Sequence, residues 1–146
     1  DAVVDLLTEV GKRPVRVEKD VPGFIGNRLQ HALWREAVSL VENGICDAEA
    51  VDTVIKESFG RRLAVLGPLE NADLVGTDLA LAVHEIVLPD LDSRPGPSPY
   101  LEKLGAEGKL GMKSGEGCRR WTKEEADAVR ARVATHLTRL DTILDD

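Results

Sequence analysis

At 146 residues with 42% hydrophobic residues, the chain has the size and composition of one ordinary globular domain, enough on size grounds to bury a core. A formal charge of −7 and the absence of a Lys/Arg stripe argue against a nucleic-acid partner. Only 3% of the residues are aromatic, so a core has to come from Leu, Val, Ile and Ala, which suits helices. No apolar run reaches membrane-spanning length, and no signal peptide opens the sequence.

Asp1 to Val10 places Val3, Val4, Leu6, Leu7 and Val10 on one helical face that ends at Gly11. It reads as the middle or end of a helix, as expected of a chain cut from something longer. In Lys12 to Lys19, Val15 and Val17 alternate with charges, the period of a strand. A solitary strand cannot satisfy its own backbone groups, so it either joins a sheet outside this sequence, the favoured expectation, or pairs with another copy of the chain.

Asp20-Val-Pro-Gly-Phe-Ile-Gly-Asn-Arg-Leu29 then leads into the longest apolar periodicity, through Ile25, Leu29, Ala32, Leu33, Ala37, Leu40 and Val41 to a stop at Gly44. With Asp20 as cap and Pro22 in the first turn, the reading is a helix over Pro22 to Asn43, roughly 33 Å long. Gly23 and Gly26 each cost on the order of 1 kcal/mol in such a helix. Their presence marks a place where something comes close to the backbone.

Asp47 is placed to cap a helix through about Ser58, with Ala50, Val51, Val54 and Ile55 inward. Arg61 to Leu66 is ambiguous between helix and extended chain. Pro68 opens a third helix, and Gly76-Thr77 breaks it. Thr77 or Asp78 caps a fourth helix to about Leu88, its inner face Leu79, Ala82, Val83, Ile86 and Val87. Four prolines between Pro89 and Pro99 make a loop, Tyr100 to Leu104 a short helix, and Gly105 to Gly117 a glycine- and lysine-rich turn region. Thr122-Lys-Glu-Glu125 is a capping box that starts a last helix bearing Ala126, Val129, Val133, Leu137 and Leu140.

Chemistry-bearing residues are sparse. The glycine-rich stretch lacks both the phosphate-loop spacing and a preceding strand, and reads as a structural turn. No Gly-x-Gly-x-x-Gly opens a strand–turn–helix unit, so no residue here is assigned to a dinucleotide. Cys46 and Cys118, with the three histidines, make no metal-ligand spacing; no metal site is expected, and free thiols in a reducing cytoplasm are the plain reading. His31 lies one turn after Asn27 without an obvious orienting carboxylate. Glu70, Asp73 and Asp78 fit helix-start charges better than an acid/base pair. Arg61 and Arg62 are either a solvated pair or a clamp for a carboxylate. Asn27 alone reads as a structural hydrogen bonder, although an amide can also donate to a polarised oxygen.

Three stretches, in order, carry a resemblance. Asp20-Val-Pro-Gly-Phe-Ile-Gly-Asn-Arg28, Gly67-Pro-Leu-Glu-Asn-Ala-Asp-Leu-Val-Gly-Thr-Asp78 and Gly111-Met-Lys-Ser-Gly-Glu-Gly117 resemble motifs of the 3-hydroxyacyl-CoA dehydrogenase family. The resemblance implies a mainly α fold, the multi-helix C-terminal domain of the 6-phosphogluconate dehydrogenase C-terminal-like type. Residues 1–19 would then be the tail of a nucleotide-binding domain, a helix and its last strand, and residues 20–146 the helical domain.

It further implies a cytoplasmic, NAD-dependent enzyme of fatty acid metabolism that oxidises a 3-hydroxyacyl-CoA at C3. The NAD site and the catalytic histidine and glutamate would sit on the absent domain. This chain would supply Asn27 to position the substrate, partner its own nucleotide-binding domain and form a homodimer. On its own it would be inactive. Asn27-Arg-Leu-Gln-His-Ala32, Leu40-Val-Glu-Asn-Gly-Ile45 and Gly60 to Glu70 are similar to the lambda-crystallin branch, with gulonate and carnitine dehydrogenases. In that alternative the substrate is a small free hydroxy acid, met by Arg61 or Arg62. A non-catalytic helical dimerisation module is the remaining alternative.

Overall fold

A computed structural model describes residues 2–144. They form seven α-helices: α1 (Ala2–Glu9), α2 (Gly26–Glu42), α3 (Ala48–Glu57), α4 (Pro68–Val75), α5 (Thr77–Val87), α6 (Pro99–Ala106) and α7 (Lys123–Leu144). Short 3₁₀ turns at Phe59–Arg61 and Leu88–Asp90 follow α3 and α5. No sheet forms among the described residues, which hold two isolated bridges, Gly111 with Glu116 and Glu116 with Arg120. None of the described helices is long and apolar enough to cross a membrane. The chain divides into two compact units, Asp1–Trp34 and Arg35–Asp146.

In the first unit α1 ends at Gly11, whose N–H bonds to the Thr8 carbonyl while Lys12 bonds to that of Leu7. The strand expected over Pro14 to Glu18 is not formed: residues 12–17 have no regular secondary structure, and Val15 is three-quarters exposed. The alternation is there, but among the described residues there is no neighbouring strand to complete a ladder. α2 also starts later than the sequence suggests. Pro22 sits in a β-turn closed by Phe24 N–H donating to the Val21 carbonyl at 3.0 Å, and the helix begins at Gly26. Its far end is as expected. Gly44 takes φ +68°, and Gly44 and Ile45 return hydrogen bonds to Val41 and Leu40, the geometry that lets glycine close a helix.

The second unit is built from well-capped helices. Asp47 accepts from Ala50 N–H at 2.8 Å to start α3. Pro68 occupies the first turn of α4, where Glu70 accepts from Gly67 N–H at 2.8 Å. Neither Thr77 nor Asp78 caps α5: the helix already includes both, and Gly76 stands at the cap with φ +99°. Arg61 to Leu66 resolves into a 3₁₀ turn and a further turn closed by Leu66 N–H on the Arg62 carbonyl at 2.8 Å. Ser98 caps α6 through Tyr100 N–H. Thr122 and Glu125 form the reciprocal capping box of α7, at 3.1 and 2.8 Å.

A proline-rich loop is stapled to α2 by charge. Arg94 reaches Glu42 and Asp92, both at 2.6 Å, and Glu36 accepts from Asp92 N–H at 2.8 Å. Those paired contacts pull the Asp92 carboxyl down to about 2, the Arg94 side-chain hydrogen bond being the main cause, and lower that of Glu42 as well. Ser98 adds a hydrogen bond to Glu42 at 3.1 Å.

The expectation of a self-sufficient core is not met. Among the described residues only Ala126 and Ser39 are buried. The apolar faces of α4 and α5 stay open, with Leu69 80% and Ile86 74% exposed, and Val133 and Leu137 of α7 are half-exposed. The inward assignment of Leu79, Val83, Ile86 and Val87 therefore fails within this chain: the pattern is amphipathic, but no second layer lies over it.

Candidate functional site

Asn27 occupies the first turn of α2, solvent-exposed, immediately after the Val21–Phe24 turn. The first helical hydrogen bond runs from Leu29 N–H to the Ile25 carbonyl, so the N–H groups ahead of it lie at the open, positive end of the helix. Gly23 is where the backbone meets something closely, as its residue type suggested: a Cβ placed there would stand 3.3 Å from Asn27 Cβ. Gly26 faces open space. One turn on, His31 packs edge-on against Trp34, ring centroids 5.1 Å apart. A polar amide is thus followed along one exposed helix by an aromatic pair, and none of the three is covered. Such a face can orient a polar oxygen and flank it with planar apolar surface.

Arg61 and Arg62 belong to the second unit. Arg61 ends the 3₁₀ turn after α3 and pairs with Glu57 at 3.2 Å, both side chains about two-thirds exposed. Arg62 is exposed and caps the same turn through its backbone. Glu70 is engaged at the start of α4, where it accepts from Gly67 N–H. Cys46 is half-buried and Cys118 exposed, and the two are not joined.

The glycine-rich segment is a closed structural element. Gly111 N–H donates to Glu116, Gly117 to Arg119 and Trp121 to Gly115, each at 2.8 Å. Ser114 Oγ accepts from Leu110 N–H at 2.7 Å and bonds the Gly111 and Glu116 carbonyls. With the N–H groups of Leu110, Gly111, Ser114, Gly117 and Trp121 committed inside the segment, those donors are not available to cradle a phosphate.

Sequence reasoning did not anticipate a cleft of about 370 Å³ beside this segment, bordered by Tyr100, Leu104, Lys109, Cys118 and Arg119. Burial and the neighbouring Cys118 push the Tyr100 phenol up. Every cation of the cleft lies within 4.0 Å of a carboxylate: Lys103 and Lys109 at Glu107, Arg120 at Glu116, and Arg119 at Asp52 and Glu49. Arg119 also lies over the Trp121 ring at 4.9 Å. Its cations are thus all paired, and the cleft lies between α6 and the glycine-rich segment, with Arg119 reaching out to Asp52 and Glu49 of α3. Its walls all come from the stretch between Tyr100 and Arg120, but no period or motif encodes it, because the cleft depends on how α6 and the glycine-rich segment fold back on one another.

Comparison with known proteins supplies the context. The chain is 40% identical over 141 residues to 5-formyl-3-hydroxy-2-methylpyridine 4-carboxylate 5-dehydrogenase of Mesorhizobium japonicum, covering 97% of this chain and 46% of that protein. A crystal structure of the 5-dehydrogenase for that pyridine carboxylate, described as an NAD+-dependent dismutase, matches with a TM-score of 0.92 at 39% identity, over 99% of this chain and 47% of the other. A 3-hydroxyacyl-CoA dehydrogenase from Archaeoglobus fulgidus matches with a TM-score of 0.52 at 30% identity, over 99% and 48%. The chain thus spans about half the length of the relatives it matches. Residues 23–121, which include Gly23, Phe24, Asn27 and the closed glycine-rich segment, match the family model of the 3-hydroxyacyl-CoA dehydrogenase C-terminal domain, and the chain belongs to that family.

Proposed function

We propose that this chain is the substrate-side half of an NAD-dependent dehydrogenase that oxidises a hydroxyl group on a small free hydroxy acid. The observation that carries the choice of substrate is the TM-score of 0.92 over 99% of the chain against a pyridine-carboxylate dehydrogenase, beside 0.52 against a 3-hydroxyacyl-CoA dehydrogenase. Residues 1–19 are the tail of a nucleotide-binding domain that holds the NAD and the acid/base residues, and residues 20–146 are the helical domain. The exposed apolar side chains Leu6 and Leu7 of α1 and the alternating pattern of Val15 and Val17 in a segment that forms no strand support this division.

In this reading the Asn27 amide donates to the reacting oxygen and holds it in register, an electrostatic and orienting role. A guanidinium fork such as that of Arg61 or Arg62 is the chemistry suited to the carboxylate of a free acid. The bare faces of α4 and α5 are covered by a second copy of the chain, as expected of large apolar patches left on a helical layer. A second reading, oxidation of a 3-hydroxyacyl-CoA thioester, is favoured by the match of residues 23–121 to the family model.

The test is to assay the chain alone and joined to its nucleotide-binding half, with NAD, on a pyridine hydroxy acid, gulonate, carnitine and 3-hydroxybutyryl-CoA. The expected result is no turnover by the chain alone and a preference of the joined enzyme for a free acid. Turnover by the chain alone overturns the division of labour, and a clear preference for the thioester selects the second reading.

A further inference from the structure

The turn that delivers Asn27 has a backbone that ordinary residues avoid, twice in succession. Val21-Pro22-Gly23-Phe24 has the features of a type II turn: proline at the second position, glycine at the third with φ +81°, and Phe24 N–H closing on the Val21 carbonyl at 3.0 Å. Phe24 then adopts φ +47° and is the one non-glycine residue with positive φ among the described residues. A bulky side chain in this region is strained. The usual compensation, burial of the ring, is absent, because Phe24 is 58% exposed. The strain therefore serves the path of the backbone, which reverses within two residues and enters α2 with Asn27 in the first turn.

Gly23 is coupled to that residue directly. A Cβ at position 23 would lie 3.3 Å from Asn27 Cβ, 3.4 Å from Arg28 Cγ and 3.5 Å from Arg28 N. The first two contacts are tighter than, or at the edge of, ordinary van der Waals separation. The third, to backbone at the helix start, is ordinary contact, so the pressure of a side chain at 23 falls on Asn27 and on the Arg28 stem. Any side chain at 23 thus pushes on the Asn27 stem, besides being strained by the positive φ.

We infer that Gly23 and Phe24 are positioning residues for the Asn27 amide: the left-handed pair sets where the first turn of α2 begins, and the missing Cβ of Gly23 is the seat of Asn27. The inference rests on the reading of Asn27 as the substrate-orienting amide, and the variants separate the two.

In the intact dehydrogenase, kcat, KM and the thermal midpoint are measured for Asn27→Ala, Gly23→Ala, the double variant, Phe24→Val and Phe24→Gly. Gly23→Ala is expected to lower kcat about 10- to 100-fold, the scale of a small misplacement of an orienting group. The double variant is expected to match Asn27→Ala alone, because a seat has no value without its occupant. Phe24→Gly is expected to keep kcat within about threefold of wild type and Phe24→Val to fall as Gly23→Ala does, since glycine tolerates positive φ and a β-branched residue does not. If Gly23→Ala does not fold, the two Phe24 variants decide. Wild-type kcat in Gly23→Ala, losses that multiply in the double variant, or equal losses in Phe24→Gly and Phe24→Val each overturn the positioning role. Wild-type kcat in Asn27→Ala instead overturns the reading of Asn27 itself.

Discussion

The side chains of this protein that are most firmly held are not the ones proposed to carry its chemistry. Arg94 is gripped by Glu42 and Asp92, while Asn27 stands exposed with its position fixed by the backbone turn before it. The Arg94 cluster has a readable pH dependence. Asp92, ordinarily near 3.8, is pulled down to about 2 in the folded chain, so its stabilising effect is complete above about pH 4 and disappears as pH falls through about 2. Arg94→Ala is expected to remove that dependence and to loosen the proline-rich loop already at neutral pH. Limited proteolysis across residues 91–98 as a function of pH checks it: cleavage equal to wild type at pH 7 shows that the staple does not hold the loop. Asn27, Arg61 and Arg62 were all legible as residue types in the sequence, but their readiness was not. Arg61 turned out to be paired with Glu57 one turn away, a contact that the helix period predicts only after the helix boundary is known.

At the scale of elements, local chemistry and structure agree at most helix ends, where both partners of an interaction lie within a few residues. Asp47 with Ala50, Thr122 with Glu125, Pro68 at the start of α4 and Gly44 after α2 were all readable, because a cap is made by neighbours in the chain. Thr122→Ala is expected to destabilise α7 by about 1 kcal/mol, with Thr122→Ser close to neutral. Urea denaturation followed by circular dichroism checks this, and equal midpoints for the two variants would remove the capping box as a stabilising feature. Two boundaries misled for a definite reason. Pro22 suits both a first helical turn and the second position of a β-turn, and Gly23 at the next position decides for the turn by adopting positive φ. At α5, Gly76 takes the cap position that Thr77 and Asp78 suggested by type. The strand over Pro14 to Glu18 has the alternation and lacks the neighbour, since strands, unlike helices, find their hydrogen bonds elsewhere.

As a whole the molecule is a set of sound helices with an unfinished interior. Leu69, Leu74, Leu81 and Ile86 present bare apolar surface on α4 and α5. Burying such side chains contributes about 1.5–3 kcal/mol each, so a covering partner stabilises the domain substantially. If the proposed second copy covers that surface, placing a charge there, Ile86→Glu, is expected to convert the proposed dimer to a monomer while leaving helix content intact. Sedimentation velocity across concentrations checks it, and an unchanged dimer would show that the partner copy sits elsewhere.

From sequence alone came the helices, most of their caps, the three ordered motifs and the family they point to, because each depends on residues adjacent in the chain or spaced by a helical turn. Which faces find a cover, where Arg94, Arg119 and the glycine-rich segment close their bonds, and how Gly23 seats Asn27 were decided only in three dimensions. Those outcomes depend on distances between atoms, and a period in the sequence states which residues share a face without stating what lies opposite it.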